Sequence, residues 1–87
     1  MNDIINYFNP TAEQVERLTD QQKDILIYIY RFGSISPMEA FSDLVITKLS
    51  TRISEMKVLG IQFEQAYEGR ENRFGKKVKY MRYRKAA

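Results

Sequence analysis

With 87 residues, 44% of them apolar and 13% aromatic, the chain is one small domain with a core just large enough to fold. It has no cysteine and no histidine, which excludes disulfides, the usual zinc ligand sets and imidazole catalysis; the carboxylates form no acid–base pair, so neither an enzyme nor a cofactor is expected. The net charge of +3 hides a split: residues 1–67 carry six Lys/Arg against nine Asp/Glu, net −3, and residues 68–87 carry eight against two, net +6, which points to a polyanionic partner for the C-terminal end.

Residues 1–18 read as an extension. Ile4, Ile5, Tyr7 and Phe8 form an apolar cluster too brief for a stable helix, and Asn9-Pro10 interrupts it. Thr11 and Gln14 have capping-box spacing, with Val15 and Leu18 as the apolar face of about two helical turns. This segment is expected either to pack back on the domain or to meet a partner. The start, MNDIINYF, lacks the marks of a signal peptide, and no apolar run approaches the roughly 18 residues of a membrane span, so a cytoplasmic protein is expected.

The domain proper is expected over residues 19–87. Thr19 and Gln22 make a second capping box, Asp20 suits the positive end of the helix dipole, and Gly33 suits a left-handed stop. Between them Ile25, Leu26, Ile29 and Phe32 recur at helical spacing as the core face, while Ile27, Tyr28 and Tyr30 leave a second apolar side. Ser36-Pro37-Met38-Glu39 starts a short helix with serine as cap, proline at the first position and glutamate closing the box. Ala40, Phe41 and Leu44 are expected to face inward from it.

Ile46 to Gly60 reads as a helix begun by a Thr47 cap. Leu49, Ile53, Met56 and Gly60 share its inner face, and Thr47, Ser50, Thr51 and Ser54 its outer face, flanked by Lys48, Arg52 and Glu55. Past Gly60 the period changes to two. Ile61, Phe63, Gln65 and Tyr67 alternate with polar residues, Glu68 to Gly75 supplies turn residues, and Lys76 to Arg84 reads as the return strand. In that strand Val78, Tyr80 and Arg82 lie on one side, and Lys77, Lys79, Met81 and Tyr83 on the other. The expected class is α+β, mostly α: three helices, a C-terminal hairpin and a short helical N-terminal extension, the plan of a winged helix-turn-helix.

The run ISPMEAFSDLVITKLSTRISEMKVLGIQFE followed by NRFGKKVKYMRYR resembles the small winged helix-turn-helix domains of bacteriophages and prophages. Gly33, Ser34, Ile35, Ser36, Pro37, Glu39 and Ala40 match the first part of that pattern, and Leu49, Arg52, Ile53, Lys57 and Gly60 the second. Gly75, Lys76, Val78, Tyr80, Arg82, Tyr83 and Arg84 match the third. Lys48 stands where arginine is frequent, which keeps charge and loses bidentate geometry. The resemblance implies binding of double-stranded DNA in a bacterial host cell. The polar helix face then enters a major groove through Thr47, Lys48, Ser50, Thr51, Arg52 and Ser54, and Arg70, Arg73, Lys76 and Lys77 lie on the backbone. Arg52 has an equal alternative as the partner of a nearby carboxylate. A homodimer through residues 1–18 and the first domain helix is one expected assembly. The alternative function is a protein-interaction module that binds and inhibits a host protein; the acidic N-terminal two-thirds and Glu55 on the polar helix favour it.

Overall fold

The computed structural model describes residues 7–86. Tyr7 and Phe8 are helical, and four helices follow: α1 Ala12–Arg17, α2 Asp20–Phe32, α3 Pro37–Leu44 and α4 Leu49–Val58. An antiparallel hairpin, β1 Phe63–Glu71 and β2 Lys77–Lys85, completes the chain. None of the helices among the described residues is long and apolar enough to cross a membrane.

The first three helices start as their sequences dictate. Thr11 with Gln14, Thr19 with Gln22, and Ser36 with Glu39 each form a complete capping box, the side-chain oxygen and the backbone amide satisfying one another reciprocally. Gly33 ends α2 at φ +88°, its amide donating to the Ile29 carbonyl at 2.7 Å. α4 departs from expectation. Lys48, not Thr47, precedes its first turn, and no side chain caps it. The cause lies one turn upstream. Val45 ends α3 in the left-handed conformation, φ +57° and ψ +37°, and the amides of Val45 and Ile46 close onto the carbonyls of Phe41 and Ala40 at 3.0 Å each. That bend buries Ile46 and leaves Thr47 in the turn, outside capping position. A β-branched residue in this conformation is strained.

The core gathers Leu18, Ile25, Leu26, Ile29, Ile35, Ala40, Ile46, Leu49, Ile53, Met56, Ile61 and Tyr83. Leu49, Ile53 and Met56 form the inner face of α4 as expected. Two expected core residues do not join: Phe32 is 68% exposed and Phe41 58% exposed. Leu26 and Ile29 already fill the inner face of α2, and Ala40 that of α3, so their neighbours turn outward. Gly60 is likewise no inner-face position. It follows the helix at φ +102°, and a Cβ there would fall 2.5 Å from Gln14 Nε2.

The hairpin is longer and later than expected. β1 begins at Phe63, leaving Ile61 in the core ahead of it, and runs through Arg70 and Glu71, so Arg70 lies in the ladder opposite Val78. The turn proper is Asn72 to Lys76. The root of the hairpin is tied into the helices by Ile35, whose amide and carbonyl bond those of Tyr83 at 2.8 and 2.9 Å. Every residue from Glu64 to Lys79 is exposed, and the molecule measures 47 × 26 × 22 Å.

Residues 7–18 pack back on the domain, one of the two expected outcomes. Phe8 meets Phe63 with ring centroids 6.0 Å apart, Tyr7 meets Tyr30 at 5.3 Å, and Lys85 Nζ lies 5.1 Å from the Tyr7 ring centre. Gln14 Nε2 donates to the Leu59 carbonyl at 2.7 Å, satisfying a group at the end of α4. Ile4 and Ile5 lie outside the described residues.

Candidate nucleic-acid interface

α4 is held from behind by three buried side chains and by a polar tie. Gln22, itself buried, accepts from the Thr19 amide and donates to Glu55 Oε1 at 3.1 Å, joining α2 to α4. Arg52 Nε lies 3.4 Å from the same carboxylate oxygen, close enough for attraction but off the hydrogen-bond axis, and that buried nitrogen has no hydrogen-bond partner among the described residues. Arg52 is therefore engaged with Glu55 on its own helix. The carboxylate that sequence reasoning set against phosphate binding faces Gln22 and Arg52.

What remains outward is small and polar. Thr47, Lys48, Ser50, Thr51 and Ser54 are all exposed, and with no cap on α4 the amides of its first turn have no side-chain acceptor. Hydroxyls and a lysine on a helix anchored by Leu49, Ile53 and Met56 can approach base edges or phosphate closely.

Arg70, Arg73, Lys76 and Lys77 lie in the outer half of the hairpin, all exposed. Residues 69–79 carry five Lys/Arg against Glu71 alone. Among the described residues none of these four cations pairs with a carboxylate, so their charge is free to meet an external anion. Arg73 stands in the turn and Lys76 ends it, Lys77 opens β2, and Arg70 lies on the strand that enters the turn.

Sequence reasoning assigned no role to Arg82, which orients this hairpin. Its Nη1 donates to Glu39 Oε1 at 2.9 Å and to Ser34 Oγ at 3.0 Å, and its Nε donates to Glu68. The Glu68 and Glu39 carboxylates hold its guanidinium above the ordinary arginine range. Glu39 Oε1 also accepts from the Ser36 amide at 2.9 Å, so one oxygen closes the α3 capping box and receives Arg82. Glu39 at the third helical position was the available signal, but nothing local named its second partner. A further side-chain bond joins α2 to α3. The Tyr28 hydroxyl donates to Asp43, and this bond, with burial, pushes the phenol from its ordinary value of 10.0 up to about 12.

A family model described as winged helix-turn-helix domain matches residues 20–84 of the chain. No curated protein and no solved structure matches it.

Proposed function

The chain belongs to the winged helix-turn-helix domain family over residues 20–84, and from that membership we propose that it binds double-stranded DNA in a sequence-specific manner. α4 enters the major groove, where Lys48, Ser50, Thr51 and Ser54 meet base edges and Thr47 meets the adjoining backbone. Arg70, Arg73, Lys76 and Lys77 hold the hairpin on phosphates. Arg52 serves chiefly to position α4 through Glu55. The observation that carries this reading is the exposed polar face of α4 backed by Leu49, Ile53 and Met56, with hairpin cations that pair with no carboxylate among the described residues. The resemblance over residues 20–85 supports a bacteriophage or prophage origin, action in the cytoplasm of a bacterial host, and a role as a transcriptional regulator or as an architectural or recombination accessory factor.

Binding to mixed-sequence duplex DNA across a salt series tests the proposal. Affinity falls with salt, and replacing Arg70 and Arg73 by alanine flattens the slope of log affinity against log salt by roughly 0.9 per lost phosphate contact. Absence of duplex binding at low salt overturns it.

A second reading has its own observation. Ile27, Tyr28, Phe32 and Leu44 line an open groove of about 420 Å³ between α2 and α3, rimmed by Asp24, Asp43 and Arg31. Such a face suits a protein, either a host protein that the domain inhibits or a second copy of the chain. Tyr7, Phe8 and Leu18 are engaged on their own domain, which favours α2 as the described part of the expected dimer surface.

A further inference from the structure

The apex of the hairpin carries Phe74, 83% exposed and without a ring contact among the described residues. A single exposed apolar residue is ordinary on a protein surface. Its setting is not. The turn is fixed by four hydrogen bonds centred on Asn72. The Asn72 amide donates to the Lys76 carbonyl at 2.8 Å, and its carbonyl accepts from Gly75 at 3.0 Å. Asn72 Oδ1 accepts from the amides of Phe74 and Lys76 at 2.9 and 3.0 Å. Those bonds fix where Phe74 leaves the backbone, and its ring stands in solvent rather than on the strands. The turn presents that residue at the end of an extension exposed from Glu64 to Lys79. Arg73 precedes Phe74, and Lys76 and Lys77 follow within three residues.

We infer that Phe74 is a wedge for duplex DNA: with Arg73 and Lys76 on the flanking phosphates, its ring enters between two base pairs, partly unstacking the step and bending the duplex. The inference rests on the duplex-binding reading above and goes beyond it, since cations alone would only hold the hairpin on the backbone. Apolar side chains introduced this way by other proteins compensate the cost of unstacking through ring–base contact and through the greater surface a bent duplex offers. Pyrimidine–purine steps such as TA and CA open most readily and are the expected points of entry. The hairpin would then add to specificity through deformability without reading a base edge.

Duplexes carrying 2-aminopurine beside successive TA and CA steps report unstacking as a rise in fluorescence, with affinity and salt slope measured in parallel. The parent protein is expected to raise the signal at one step of a bound duplex. Phe74→Ala abolishes that rise and weakens binding roughly fivefold, at the lower end of what a lost aromatic–base stack does, while leaving the salt slope and thermal melting unchanged. Arg73→Ala does the reverse, flattening the salt slope by roughly 0.9. If the parent binds duplex with no rise at any step, or Phe74→Ala retains the rise, the wedge is overturned and duplex binding stands. If the parent binds no duplex, both readings fall.

Discussion

Replacing Arg82 by methionine keeps an apolar stem in place and removes the guanidinium that joins the hairpin to the start of α3. The side chain is about one-fifth exposed, and its partners Glu39 and Glu68 are 36% and 48% exposed. Loss of one member of a fully buried pair costs about 3–5 kcal/mol, whereas exposed pairs are worth about 0.2–1 kcal/mol. Glu68 lies near the exposed limit and regains water when Arg82 is gone, so its share is under about 1 kcal/mol. Glu39 rehydrates less completely, and Ser34 Oγ loses its donor, which adds about 1–1.5 kcal/mol. The sum is about 2 kcal/mol, or roughly 10 °C in melting temperature for a domain of this size. Thermal unfolding followed by circular dichroism at neutral pH reads it directly. Glu39→Gln keeps an acceptor for both the Ser36 amide and Arg82, and should cost less than half as much. A methionine variant that melts within about 2 °C of the parent would show that the hairpin is oriented by the Ile35–Tyr83 pairing alone.

Val45→Asn should raise stability by about 0.5–1 kcal/mol, because asparagine tolerates the left-handed conformation and a valine 73% exposed contributes little burial; a lower melting temperature would mean that Val45 is not strained. Tyr28 ionises in the folded protein only at about 12 against an ordinary value of 10.0, so its stabilising contribution is complete below pH 10 and is lost as pH rises through 12. Tyr28→Phe should therefore flatten the alkaline fall in stability between those limits, and identical slopes for the two proteins would contradict the Asp43 bond. Ile53→Asp puts an unpaired carboxylate at a position 1% exposed and should abolish the cooperative melt, since no partner offsets its desolvation; a native-like transition would mean that α4 is seated on another face.

The helix starts were legible because they are local. Three capping boxes and the Gly33 stop depend on residues within one turn of each other, and all four form as read. The inner face of α4 was legible from its period. Phe32 and Phe41 were misplaced because a helix apolar on two sides gives no local sign of which side the rest of the chain covers. The missing Thr47 cap has a similar origin: Val45 adopts a conformation its side chain disfavours, and only the burial of Ile46 accounts for it. The outward face of the candidate interface could be read from its small polar residues. The engagement of Arg52 by Glu55, and of Arg82 by Glu39 and Glu68, depends on geometry across elements and could be read only as an even alternative in the first case and not at all in the second.

The contact of Tyr7 with Lys85 sets two points far apart in sequence side by side in space. A short linker between those two points would permute the order of the elements. A chain that opens in the Asn72–Lys76 turn and joins Lys85 to Tyr7 through a few residues would begin with β2 and end with β1. The hairpin would then change from the most local pairing in the molecule to the most distant, closed by the core at Phe63 and Tyr83 instead of by its own turn. Contacts of greater sequence separation form more slowly, so the permuted protein should reach the same core at a lower rate, with its outer strand residues the last to pair.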